Sequence, residues 1–153
     1  KRQVVEGDRI IDLGNRRLRL TSWPVAHTAT DLTVLDETSG TLIAGDLVFV
    51  DHVPTLDGSL KGWIAALPQL AAIPARQVVP GHGPAPQPWP EALRNEARYL
   101  DVLARDIRAQ IASGGSIGAA QTGAAASERG KWALFDAYNG QNVSAAFTEL
   151  EWE

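Results

Sequence analysis

The sequence predicts an α/β (α+β) fold, because a strand-rich front gives way to a helix-rich back. From Arg9 to Val50, short runs of alternating apolar and polar residues are separated by turn-rich stretches, the period-two pattern of strands. From Ser59 onward, apolar residues recur every three or four positions, the period of a helix with one buried face. The composition agrees with one globular domain. With 153 residues, 44% hydrophobic and 21% charged, the chain can bury about two-thirds of its unfolded surface.

Taken in order, Arg9–Leu13 and Arg17–Trp23 are two strands joined at the tight turn Gly14-Asn15. Leu32–Leu35 and Thr41–Ala44 form a second pair around the turn-rich stretch Glu37–Gly40. Leu47–Val50 is a continuous apolar run, suited to a strand buried on both faces. Leu60, Ile64, Leu67 and Leu70 line one face of a helix with Ser59 as N-cap and Pro74 as stop, and a kink or early end is expected at Pro68. Gln77–Pro80 is a short strand running into Gly81-His82-Gly83-Pro84. A longer helix follows from about Pro90, with Leu93, Ala97, Leu100, Leu103, Ile107 and Ile111 on one stripe, and Ser113-Gly114-Gly115 stops it. Residues 113–127 are nearly all Gly, Ala, Ser, Thr and Gln, the composition of a flexible linker. Two short helices, around Lys131–Tyr138 and Ser144–Leu150, are expected to close the chain. The expected organisation is therefore a main domain over 1–112, a linker over 113–127 and a helical extension over 128–153.

A net charge of −4 argues against nucleic acid as the main partner, and no apolar run reaches membrane-spanning length. The absence of cysteine excludes a disulfide framework, a thiolate metal site and a Cys nucleophile. Chemistry is left to imidazoles and carboxylates. His27 stands where a strand-like segment gives way to a turn, and His82 stands between two glycines after a short apolar strand. Asp46 lies between apolar residues of a predicted strand, where burying its charge is costly unless it is paired or binds a cation. Two imidazoles and a carboxylate, each at a strand end, make a sensible nitrogen-and-oxygen ligand set for zinc. A turn-capping Asp46 is the other reading.

The order His27-Thr28-x-x-Asp31, Gly45-Asp46, Pro80-Gly81-His82-Gly83 resembles the second half of the metallo-β-lactamase fold, over roughly Arg9 to Pro84. More narrowly, Ala26-His27-Thr28, Gly45-Asp46-Leu47-Val48-Phe49 and His52-Val53-Pro54-x-Leu56-Asp57-Gly58-Ser59-Leu60 resemble the zinc metallohydrolases associated with bacterial quinoprotein systems. So does the ending Asn142-Val143-Ser144-Ala145-Ala146-Phe147, followed by Glu149-Leu150-Glu151-Trp152-Glu153. The resemblance implies the C-terminal half of an αββα sandwich, a mostly antiparallel or mixed sheet with helices on one face. It implies His27 on a first zinc, His82 on a second and Asp46 bridging both. The implied reaction is hydrolysis of an ester, thioester, lactone or amide by metal-bound hydroxide. Asp31 then reads as an acceptor that orients a ligand imidazole, or as a turn residue bonded to local backbone. His52 has no metal role by motif; it reads as a substrate or proton contact, or as a solvated loop histidine.

The superfamily's main metal motif, His-x-His-x-Asp-His, is absent, and histidines at 27, 52 and 82 cannot supply it. The expectation is thus the C-terminal fragment of a metallohydrolase, beginning at Lys1 by truncation, carrying part of a dinuclear zinc site and inactive alone. Its expected partners are the missing N-terminal half or a second copy, and a small-molecule substrate in the full-length protein, with no nucleic acid and no membrane. A non-catalytic binding or assembly domain of the same fold is the alternative. The fold does not fix the substrate. The resemblance also implies a bacterial periplasmic setting, which no residue of the sequence itself indicates.

Overall fold

A computed structural model of the chain describes residues 4–153. Its strands form one sheet in chain order: β1 (Asp8–Asp12), β2 (Arg17–Trp23), β3 (Asp31–Asp36), β4 (Thr41–Phe49), β5 (Gln77–His82) and β6 (Gln87–Pro88). Pairing is antiparallel from β1 to β4, parallel between β4 and β5, and antiparallel again at β6. The parallel pair needs a crossover, and α1 (Leu60–Ala71) supplies it. Beyond the sheet come α2 (Leu93–Ala112), α3 (Ile117–Gly123) and α4 (Phe135–Leu150). A mixed sheet with four helices is the α+β class expected. No helix among the described residues is long and apolar enough to cross a membrane.

Alternation along the strands separates two faces. Leu35, Leu42, Ala44 and Val78 are buried in a single core with Leu60, Trp63 and Leu70 of α1 and Leu100, Leu103 and Ile107 of α2. On the opposite face Leu20, Val34, Ile43 and Val79 stand in cross-strand register. That side is open to differing degrees, and Ile43 is 48% exposed.

Several elements differ from expectation, each for a local reason. The two strands expected at Thr41–Ala44 and Leu47–Val50 are one strand, β4, irregular about Gly45, whose φ of 56° lets the chain step out of register with β5 and continue. Helix α1 runs through Pro68 and ends at Ala71, so the chain keeps its helical course for three residues past the proline, which forfeits the N–H bond to the Ile64 carbonyl. The expected flexible linker over 113–127 instead contains α3, capped by Ser116, with Ala120, Ala124 and Ala125 buried. Its small side chains let α3 lie close against α2 and α4, so the composition that reads as flexible serves tight packing. The two closing helices are one, α4, and it begins only at Phe135. Asn139 and Asn142, weak helix formers at its centre, are retained because tertiary hydrogen bonds occupy their side chains. The short edge strand β6 has no periodic signal in the sequence.

Candidate metal centre

His27 lies in the loop after β2, Asp46 follows the irregularity at Gly45 in β4, and His82 ends β5. Parallel pairing of β4 with β5 sets Gly45 opposite Pro80 and Phe49 opposite His82, which draws the carboxylate to the imidazole. Asp46 Oδ2 is 3.6 Å from His27 Nε2, and its other oxygen, Oδ1, is 3.6 Å from His82 Nε2. One carboxylate therefore faces two imidazoles, one oxygen to each. The glycine before His82 makes this approach possible. A Cβ on Gly81 would drive into Asp46 Oδ1 and stand 2.7 Å from the Gly45 carbonyl carbon.

His27 is buried, at 6% exposure, and its ring packs edge-on to Trp63 (centroids 5.3 Å apart) and tilted to Phe49 (5.7 Å). Its Nδ1 lies 2.7 Å from the Thr55 carbonyl oxygen. A carbonyl can only accept, so the proton sits on Nδ1, and in the neutral ring Nε2 turns its lone pair toward Asp46. Two acceptors facing each other attract only through a cation on or between them. The 3.6 Å separations exceed hydrogen-bond length. Donors sharing a tetrahedral zinc at its usual bond lengths stand about 3.3 Å apart, close to this spacing. Nitrogen and oxygen donors so placed fit zinc.

His82 is half-exposed and stacks on Phe49 at 4.7 Å and 13°. The His52 ring lies 5.0 Å from His82 and 5.9 Å from Phe49, so the three rings form a triangle, and Tyr138 stands 5.8 Å from His52. Asp51, at φ 60°, turns the chain out of β4 just before His52, whose Nδ1–H donates to the Val53 carbonyl at 2.8 Å. His52, Thr55, Asp57, His82, Tyr138 and Gln141 line a cleft of about 270 Å³. Among the described residues, no group of three or more His, Cys, Asp or Glu side chains closes on one point to hold a metal ion. The expected ligands meet in pairs through Asp46.

Among the described residues Asp31 bonds Thr28 and no imidazole. Its carboxylate accepts from Thr28 N–H at 3.0 Å and Thr28 Oγ1–H at 2.8 Å, a local turn, and the Thr55 carbonyl holds His27 in its place. Thr55, Tyr138 and Gln141 escape the sequence reading because a backbone carbonyl and two helix residues carry no motif. The only signal for Tyr138 is that it belongs to the aromatic-rich stretch from Trp132 to Trp152.

The fold is similar to that of a metallo-beta-lactamase from Pontibacter korlensis, with 27% identity over 63% of this chain and 47% of that one, at a TM-score of 0.55. It is similar to a metallo-beta-lactamase family protein from Thermus thermophilus, at 18% identity, 97% and 47% coverage and a TM-score of 0.64. A beta-lactamase domain protein from Burkholderia ambifaria matches with a TM-score of 0.70 and 15% identity over 99% of this chain and 46% of that one. The chain thus spans about half the length of each of these structures. No protein-family model and no curated protein matches the sequence.

Proposed function

We propose that this chain carries one half of a dinuclear zinc site of a metallo-β-lactamase-like hydrolase, and that the remaining ligands come from a second segment or chain. The observation that carries the reading is Asp46 set between His27 and His82 with one oxygen toward each. The chemistry zinc supplies at such a site is a water made acidic enough to ionise near neutral pH and a polarised substrate carbonyl. The chain's own residues prepare that site. His27 is buried and held in the tautomer that leaves Nε2 available. Asp46 spans both positions from a half-exposed site, and the Phe49 and His52 rings fix the plane of His82. The cleft walled by His52, Tyr138 and Gln141 would receive a small-molecule substrate with an ester, thioester, lactone or amide bond. The link to quinoprotein systems rests on the motif likeness alone.

The test is zinc binding by the whole chain, read as metal per chain after equilibrium dialysis. Wild type is expected to bind weakly, with His27→Ala, Asp46→Asn and His82→Ala each at least about tenfold weaker and His52→Ala unchanged. Wild type without affinity for zinc, or ligand variants that bind equally, would overturn the reading. Such a result would favour a non-catalytic assembly domain of the same fold.

A further inference from the structure

The ending that begins at Asn142 has no part in the site just described, yet it reaches back 86 residues to a loop that does. We infer that Asn142 is a positioning residue for His27, acting through the peptide unit that joins Thr55 to Leu56. Asn142 is 1% exposed, and three bonds fix its amide. Its Nδ2 donates to the Pro54 carbonyl at 2.6 Å and to Tyr99 Oη at 2.8 Å, so its oxygen is the atom that accepts from Leu56 N–H at 2.9 Å. Leu56 N–H and the Thr55 carbonyl belong to the same planar trans peptide and point in opposite directions. Anchoring one aims the other. The Thr55 oxygen is aimed at His27 Nδ1, 2.7 Å away. The amide thus sets the imidazole's tautomer across one peptide plane, in a buried chain of hydrogen bonds whose members polarise one another.

The other bonds between these loops do not do this. Asp57 N–H donates to the His27 carbonyl at 3.1 Å and Ser59 N–H to the Ala26 carbonyl at 2.8 Å, which fixes main chain and leaves the proton on the ring undetermined. A second residue of the same helix holds the far end of the segment. Seven positions on, about two turns along the same face of α4, Glu149 accepts from Ser59 Oγ at 2.6 Å and Leu60 N–H at 2.7 Å, at the start of α1. Helix α4 therefore grips the segment from Pro54 to Leu60 at two points, and the point that reaches His27 is Asn142.

The hydrogen-bond relay stands on its own geometry; its consequence for metal binding rests on the proposed function. The experiment uses the full chain labelled with ¹⁵N, whose three histidines give separable ring signals in long-range ¹H–¹⁵N spectra. Wild-type His27 is expected as a single Nδ1–H tautomer. Asn142→Leu, close in shape but unable to bond, is expected to give mixed tautomers and at least about tenfold faster exchange of the ring proton. Asn142→Asp keeps the acceptor for Leu56 N–H and is expected to keep the wild-type tautomer, as is Tyr99→Phe, which removes the hydroxyl's bonds to Asn142 and Asn139 and leaves both bonds to the loop in place. An unaltered His27 in Asn142→Leu would overturn the inference, as would an equal disturbance in Tyr99→Phe, which would mark general loosening of the core. If Asn142→Leu does not fold, loss of the tautomer in Asn142→Asp overturns the route through Leu56. Zinc binding is measured in parallel and is expected to weaken about tenfold in Asn142→Leu. An altered tautomer with unchanged zinc binding would leave the relay standing and count against the metal reading instead.

Discussion

Glu96 is a carboxyl group placed wholly inside the core, at 0% exposure. Its Oε1 accepts from Phe49 N–H at 3.1 Å, and Oε2 has no partner among the described residues. Burial pushes its pKa well above the ordinary value of 4.5, against the smaller opposing effect of the Phe49 bond. The native state therefore keeps a proton that the unfolded chain releases above pH 4.5. Stability is fully present below that value and declines as pH rises toward the raised native value, by about 1.4 kcal/mol per pH unit within the window. Glu96→Gln keeps the acceptor for Phe49 and cannot ionise. Urea unfolding at pH 5 and pH 8 is expected to show wild type losing more stability than the variant. Parallel losses in both would mean Glu96 is not the group responsible. The Phe49 ring packs on both candidate ligand imidazoles, so this carboxyl also supports the site. No sequence motif announces it, because its partner lies 47 residues away. The sequence marks Asp46 by the glycine before it, His82 by a glycine on each side at the end of β5, and His27 by the turn that follows β2. Thr55 and Asn142 carry no such mark, because their parts depend on which peptide faces which ring.

At the scale of elements, the stretch between α2 and α4 is held by one buried carboxylate. Glu128, 1% exposed, accepts from Arg98 Nε at 3.1 Å and Nη2 at 3.0 Å, from Lys131 Nζ at 2.9 Å and from Trp132 Nε1 at 3.1 Å. Burial alone would raise its pKa, but the bonds from Arg98, Lys131 and Trp132 outweigh it and bring the group to about 2. The unfolded value is 4.5, so the stability this gives is present above pH 4.5 and is lost as pH falls toward 2. Glu128→Gln is expected to cost about 2 kcal/mol at pH 7, the scale of charged hydrogen bonds, and much less near pH 3. Chemical denaturation at the two pH values checks this, and an equal cost at both would remove the carboxylate's charge from the account. The same stretch shows what patterning cannot reveal. Period separated β3, β4 and β5 from α1 and α2 because each buries one face against the core. Helix α3 buries only Ala120, and no hydrophobic period can be read from alanine and glycine. In α4 the breaks suggested by Asn139, Gly140 and Asn142 are overridden by bonds to Tyr99, Ala124 and Pro54, which only the folded core supplies.

At the scale of the molecule, the sheet has one covered face and one open one. Leu20, Val34, Ile43 and Val79 form a row across four strands, about 14 Å at the usual strand spacing. Leu32 and Ile11 extend it, at 43% and 38% exposure. Contiguous apolar surface left open in this way marks a contact face. Strand alternation produced it: the residues that bury Leu35 and Leu42 on one side necessarily present Val34 and Ile43 on the other. Polar residues of the same face, Arg9, Ser22, Thr41 and Gln77, border the row without interrupting it. The chain alone is therefore expected to self-associate through this face, since covering it removes apolar surface from water. Sedimentation velocity should show wild type as a dimer or larger, with the monomer fraction rising for Ile43→Lys and further for Val34→Lys combined with Ile43→Lys. Neither substitution touches the core, so far-ultraviolet circular dichroism should be unchanged. A wild type that stays monomeric at high micromolar concentration would show that the face is stable in water. Association that the lysine variants leave intact would place the contact elsewhere, on the groove between α1 and α2 or on the unpaired edge of β1.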